Sequence, residues 1–435
     1  MASRSFEAQR QHQRFLVNKS SQLEAVAASA NRDGRAGSAT EVLRIFTWLG
    51  LTCFGGPIAH LGYFRAEFVE RRRWLSERAY ADLVGLCQFL PGPASSKLGF
   101  SLGLLRAGYA GGLAAWVGFT LPSAILLVLF AYGANTFAGT AAGSALFHSL
   151  KLVAVAIVAQ AVWSMARALC PDRQRATIAV AAAVLVLAVP RSLSQITAIA
   201  FGAMLGLRYC RQNGESVPEP LHFPVSRRAG IASLVAFAVL LVMSFCHVRD
   251  PLVALFNAFY RSGALVFGGG HVVLPLLSEA VVEPGWLDKE TFLAGYGAAQ
   301  AVPGPLFSVA AYIGALARPA GGLGTAAIAL IAIFLPGILL HVAALPFWSQ
   351  LRSATPVQAA MRGINAAVVG VLAAALYQPV WTTAVLTKLD FAIALTSFVL
   401  LAVWKAPALL VVLFTVVAGT ALELAVGSGL PLFGP

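Results

Sequence analysis

Apolar residues run through this chain in long blocks. They lie near 43–64, 79–105, 107–135, 141–168, 176–190 and 192–207, then 230–249, then 251–281, 290–318, 320–346, 355–380, 388–403 and 404–427. A polar stretch at 208–229, carrying Arg208, Arg211, Arg227 and Arg228, separates the first six from the rest. Runs such as 113–130, 231–242 and 326–345 suit the bilayer core, which takes roughly 20 residues of helix. The pattern predicts an all-α polytopic membrane protein, counted as six blocks, one spare, then six. If each set crosses an even number of times, the spare block starts the second set on the opposite side, which predicts an inverted repeat.

The blocks are interrupted at matching places. The first set reads Phe54-Gly55-Gly56-Pro57, then Trp74-Leu75, then Gln88 and Pro91-Gly92-Pro93. The second reads Phe267-Gly268-Gly269-Gly270, then Trp286-Leu287, then Gln300 and Pro303-Gly304-Pro305. Glycine and proline at these densities break helices. Matching broken helices in two halves are the best sequence pointer to a transporter's binding site. The match continues with Pro122 against Pro336 and Arg106 against Arg318, and it sets Lys151 opposite Asn365 and His148 opposite Arg362.

Loop charge fixes an expected orientation. Residues 65–78 carry five arginines, whereas residues 278–290 carry Lys289 against Glu279, Glu283, Asp288 and Glu290. By the positive-inside rule the first loop is cytoplasmic and the second is outside. The N-terminal tail is also basic. Tail and arginine loop share a side if 43–64 is a re-entrant hairpin turning at Gly55-Gly56-Pro57, and 79–105 can turn likewise at Pro91-Gly92-Pro93. The alternative is thirteen full spans, which puts the arginine loop outside against the charge rule. The expected division is a polar cytoplasmic tail at 1–42, a first repeat at 43–207, a basic linker plus one extra helix at 208–250, and a second repeat at 251–435.

Composition agrees. Hydrophobic residues make up 58% of the chain and charged residues 11%, against about 25% charged in soluble domains. The net charge of +13 would suggest nucleic acid in a soluble protein, but membrane proteins gather Lys and Arg in cytoplasmic loops, so no nucleic-acid partner is expected. Five scattered cysteines read as reduced structural thiols. No Walker loop, HExxH or GxSxG motif appears, so neither an enzyme, a metal nor a cofactor is expected.

A broken helix leaves backbone N–H groups unpaired at a positive dipole end, which makes an anion site. Two breaks in each half facing one cavity suit a small oxyanion. Gln88 and Gln300 can donate amide hydrogens without adding charge. Lys97 lies one turn beyond Pro93, and intramembrane cations default to functional candidates. Lys151 and Arg362 are further cations, with snorkelling to an interface as the plainer reading. His60 and His271 follow the two Phe-Gly-Gly breaks. The intramembrane acids Asp82, Asp390 and Glu423 each sit near a segment end, which gives little support for a carboxylate proton relay.

With His60, His271, Leu274-Pro275 and Tyr312-Ile313-Gly314 added to the repeated motifs, the sequence from 43 to about 420 resembles the chromate ion transporter family in its long, two-half form. The resemblance implies chromate efflux across a bacterial inner membrane and chromate resistance, with some members handling sulfate. The helix breaks and the polar residues near them place the oxyanion among Phe54, Gly55, Gly56, Pro57, Gln88, Pro91, Gly92, Pro93, Lys97, Lys151, Phe267, Gly268, Gly269, Gly270, His271, Gln300, Pro303, Gly304, Pro305 and Asn365. Expected partners are chromate or sulfate, membrane lipid and a second copy in a homodimer. Export by alternating access is the leading expectation, and sulfate uptake by the same architecture is the alternative.

Overall fold

The computed structural model describes residues 37–137, 140–188, 191–211, 223–246, 248–267 and 270–427. Gly268 and Gly269 of the second Phe-Gly-Gly break, and nearly all of the tail at 1–42, lie outside the described residues. Every regular element among the described residues is helical.

Each half opens with two helical hairpins. In the first half, α1 (Ala39–Thr52) stops at the glycines, and α2 (Gly56–Arg65) restarts with Pro57 in its first turn and runs into a π-turn at Ala66–Arg71. The 14 residues of α1 span about 21 Å, short of the ~30 Å hydrocarbon core. The chain then folds back, because Phe46 stacks on Phe68 at 5.2 Å and meets Phe64 edge-on at 5.6 Å. The second hairpin is α3 (Glu77–Phe89) and the first arm of α4 (Ala94–Phe137), which has non-helical backbone at Ala107 and Gly108 before its long second arm.

The second half repeats this. Helix α9 (Pro251–Ala264) turns into a 3-10 segment at Gly270–Val272, α10 (Val273–Leu277) and a π-turn at Ser278–Val282. Then α11 (Lys289–Ala301) turns into a 3-10 segment at Leu306–Ser308 and α12 (Val309–Leu316). That hairpin is closed by Tyr312 Oη donating to the Thr291 carbonyl at 3.1 Å. The two Trp-Leu motifs lead into the same device, a cap. Ser76 accepts from Ala79 N at the start of α3, and Asp288 accepts from Thr291 N at the start of α11.

Longer helices follow. In the first half they are α5 (Ala141–Leu169), α6 (Arg173–Ala188) and α7 (Arg191–Tyr209). The spare block is α8 (Arg227–Met243), lying against α9 and α13. In the second half they are α13 (Leu323–Ala344), α15 (Thr355–Ala375), α17 (Lys388–Ala402) and α18 (Ala408–Gly427), with the short helices α14 (Trp348–Ser353) before α15 and α16 (Thr382–Ala384) before α17. Four helical stretches among the described residues are long and apolar enough to cross a membrane: Ala94–Gly133, Gly143–Leu169, Leu323–Phe347 and Thr355–Ala384.

The halves trade partners. Helix α5 packs on α17 and α18 of the second half, and α15 packs on α6 and α7 of the first. Small residues let equivalent helices approach. A Cβ on Gly50 of α1 would lie 2.7 Å from the Gly118 carbonyl oxygen of α4, and a Cβ on Gly263 of α9 would collide with the Ile333 carbonyl of α13. The two hairpin loops lie toward opposite ends of the long arm of α4. Arg106, just before that arm, sits over the Trp74 ring at 5.2 Å. Ala131 and Tyr132, near its far end, share a cavity with Trp286.

Candidate functional site

The hairpin tips of one half meet those of the other. Gly92 N–H donates to the Val266 carbonyl at 2.7 Å, and Gly304 N–H donates to the Cys53 carbonyl at 2.9 Å. Val266 and Cys53 each immediately precede the Phe of a Phe-Gly-Gly break, so each Pro-Gly-Pro tip is bonded to the other half's Phe-Gly-Gly tip. Both glycines are left-handed, with φ of 96° and 98°, a conformation glycine adopts without steric cost. A Cβ on Gly92 would lie 2.9 Å from Gly337 Cα, and one on Gly304 would lie 3.0 Å from Ser123 Oγ. Gly337 and Ser123 each follow a matched proline, Pro336 and Pro122.

Polar side chains line these contacts unequally. On the first half's tip, Lys97 is fully buried, and its ammonium donates to the Leu90 carbonyl at 2.6 Å and the Pro91 carbonyl at 2.9 Å. It therefore closes the carbonyl end of α3. One turn on, Ser101 Oγ bonds His341 Nε2, and His341 Nδ1 has no partner. On the second half's tip, Ser308 Oγ lies 2.6 Å from Ser123 Oγ, which also donates to the Thr120 carbonyl. Val309 stands where the first half has Lys97. His60 is buried, edge-on to Phe119 at 5.2 Å and near the Cys53 carbonyl, with neither ring nitrogen in a well-formed hydrogen bond. Thr120 Oγ1 and Ser96 Oγ are likewise buried without partners. One ammonium, two imidazoles and several hydroxyls, with no carboxylate among them, form a cluster suited to an anion.

A sequence model of the chromate transporter family matches residues 40–207 and matches again at residues 253–420. The chain belongs to the chromate transporter family. A chromate transport protein of Pseudomonas aeruginosa is 28% identical over 76% of this chain and 78% of its own length. A probable chromate transport protein of Synechococcus elongatus is 28% identical over 78% of this chain and 84% of its own. An uncharacterized transporter of Bacillus subtilis, YwrA, is 34% identical over 129 residues, which are 29% of this chain and 68% of that relative. Its length is therefore close to that of one matched half, so a single half also occurs as a chain. No solved structure gives a significant match.

In this member of the family, the structure gathers part of the predicted residue set. Pro91, Pro93, Pro303, Gly304 and Pro305 are buried at the tips with half-buried Gly92. Phe54, Gly56 and Phe267 are half-buried, Gly55 is exposed, and Gly270 is buried where the 3-10 turn begins. His271 Nδ1 pairs with Tyr296 Oη at 2.9 Å. Gln300 follows Tyr296 by one turn, and its amide nitrogen is buried near the Tyr296 hydroxyl without a well-formed hydrogen bond. Gln88 is exposed and stands apart from the buried cluster. Lys151 is buried in a different place, 3.7 Å from Glu290 in the cavity beside Trp286. Asn365 is half-buried with its Oδ1 unpartnered, and Arg362 donates to the Cys210 carbonyl, holding α15 to the end of α7.

Two departures from expectation have physical causes. Broken helix ends predict free glycine N–H groups for the anion, yet Gly92 and Gly304 donate theirs to the opposite half. A buried N–H left unpaired costs about 1–3 kcal/mol, so tips in contact satisfy one another. An open cavity is also expected between the breaks, whereas the tips are bonded backbone to backbone. His341, Ser101, Ser123 and Ser308 are absent from the predicted set. Ser123 and Gly337 were discoverable as the residues after the matched prolines. His341 carries no local signal, because its partner Ser101 is 240 positions away.

Proposed function

We propose that this protein exports chromate across a bacterial inner membrane and so confers chromate resistance, as a secondary transporter with the tetrahedral dianion bound between its hairpin tips. The reading rests on one observation, the reciprocal pair of bonds from Gly92 to Val266 and from Gly304 to Cys53. Both bonds break if the tips part. Two glycine N–H groups then turn to whatever lies between them, with the Lys97 ammonium, the His341 and His60 rings and the hydroxyls of Ser123 and Ser308 close by. That is a donor set for a doubly charged oxyanion. Gln300 adds an amide on the second half's side.

The two hairpin loops, at opposite ends of the long arm of α4, support an inverted repeat. In such a repeat, alternating access is a rocking of one half against the other about the shared site. The names of the Pseudomonas and Synechococcus relatives support chromate as cargo. Electrostatics favours export. One charge crossing 100 mV is worth about 2.3 kcal/mol, so a dianion leaving a negative-inside cell gains roughly 4.6 kcal/mol, enough for about 2,000-fold depletion.

Chromate flux into everted vesicles containing the chain tests this, with membrane potential and pH gradient collapsed separately. Uptake that requires the potential and is competed by excess sulfate is the expected result. Absence of chromate flux, with sulfate entering right-side-out vesicles, would replace export by oxyanion uptake.

A further inference from the structure

Away from the tips, the fold collects a second set of ionisable groups. His148 and Lys151 lie one turn apart on α5, and both are buried. His148 Nε2 lies 2.8 Å from Asp390 Oδ1 of α17 and 3.6 Å from Glu423 Oε1 of α18. Asp390 is itself buried and fixed, since its Oδ2 accepts from Leu386 N at 3.1 Å and Thr387 N at 2.8 Å. Lys151 faces Glu290 of α11. So α5 of the first half is tied through two side chains to three helices of the second, and one of these, α11, ends at the Pro303-Gly304-Pro305 tip.

A cavity of about 930 Å³ reaches this cluster, lined by His148 and Lys151 and by Trp286, Asp288 and Glu290 of the loop predicted to face outside. The other ionisable groups around it are few. Tyr132 of α4, Lys289 of α11 and Arg318 line the same cavity. Lys388 of α17 and Tyr377 beyond α15 are exposed. Arg362 of α15, although its helix packs on α5, donates to the Cys210 carbonyl instead.

We propose that His148, held between Asp390 and Glu423, binds the proton that this transporter exchanges for its anion, an inference that rests on the oxyanion-export reading above. With Nε2 held toward Asp390, the neutral ring carries its hydrogen there and leaves Nδ1 as the basic nitrogen. A proton arriving through the cavity adds to Nδ1 and makes an imidazolium whose Nε2 edge faces both carboxylates; it leaves from the same nitrogen. The added charge strengthens the link from α5 to α17 and α18, and its loss loosens that link, so protonation biases how the two halves sit. This is a differential interaction of the kind that a coupling ion requires.

The test is purified protein in proteoliposomes, comparing chromate–chromate exchange with the limiting chromate accumulation ratio at imposed pH gradients. One proton per anion moves that ratio about tenfold per pH unit in the unmodified chain. His148→Gln should keep exchange and lose this dependence. Equal dependence in the variant and the unmodified chain, or none in either, overturns the inference while leaving chromate transport intact. Absence of chromate exchange in the unmodified chain overturns the export reading and the inference with it. Glu423→Gln, at an exposed carboxylate, serves as the second variant. Removing a neighbouring negative charge alters the surroundings of the ring, so the pH profile of net, proton-coupled chromate transport should move while chromate–chromate exchange is kept, and an unchanged profile overturns the inference.

Discussion

Lys97 is held by its own hairpin. Its ammonium meets the Leu90 and Pro91 carbonyls at 2.6 and 2.9 Å, so the charge neutralises the negative end of α3 when the tips are closed. A hydrogen bond to a charged group contributes about 1.5–3 kcal/mol. Lys97→Met should therefore lower stability by that order and, if the ammonium also meets the anion, reduce chromate flux at least about tenfold. Vesicle flux normalised to folded protein checks this; a stability loss with unchanged flux would reduce Lys97 to a structural cap. The matched glutamines should behave differently from one another. Gln300 is half-buried with its amide nitrogen shielded from solvent near the Tyr296 hydroxyl, and Gln88 is exposed, so Gln300→Ala should impair flux far more than Gln88→Ala. Their equal spacing in the two halves could not reveal this, because burial of each glutamine depends on how the opposite half sits on its hairpin. The tip glycines and prolines were legible for the opposite reason, since a helix break is written locally.

Among elements, the close pairs α1–α4 and α9–α13 share one device at equivalent positions, Gly50 and Gly263. Alanine at either site would push two helices apart, and overpacking of this kind costs about 1–3 kcal/mol. Both variants should lower the midpoint of thermal unfolding in detergent, and a site at which alanine is neutral would show that the approach there is not required. Helix α6 is started differently, by Asp172, whose carboxylate accepts from Arg175 N at 2.8 Å and pairs with its guanidinium at 2.6 Å. The Arg175 backbone N–H, and then its side chain, hold the Asp172 carboxyl below the usual range. A depressed folded value gives stability that is present above the unfolded value, roughly pH 4, and is lost as pH falls through the folded one. Asp172→Ala should cost about 1 kcal/mol near neutrality and progressively less below roughly pH 4, as read from unfolding midpoints across pH. The apolar pattern located these helices within a few residues, because each block is bounded by glycine, proline or charge. Hydropathy alone runs α3 and the first arm of α4 together as one block, 79–105, and it is the Pro91-Gly92-Pro93 break inside that block that signals the reversal.

At the scale of the whole molecule, the two halves are joined by equivalent bonds in both directions. Each Pro-Gly-Pro tip is bonded to the other half's Phe-Gly-Gly tip, and α5 and α15 each cross to the partner half. Duplication and the family resemblance made two halves legible from the motifs at Phe54 and Phe267. Neither could show that Asp390 and Glu423, which look like isolated acids near segment ends, converge on His148. The central claim is that the tips must separate for the anion to pass. Ser123 and Ser308 test it directly, because their hydroxyl oxygens lie 2.6 Å apart across the two halves, close enough for a disulfide between cysteines at those positions. In S123C/S308C, oxidation should abolish the chromate flux that the reduced double variant shows and reduction should restore it, whereas flux through S123C alone should be insensitive to oxidation. Undiminished flux through the oxidised, cross-linked protein would contradict the account.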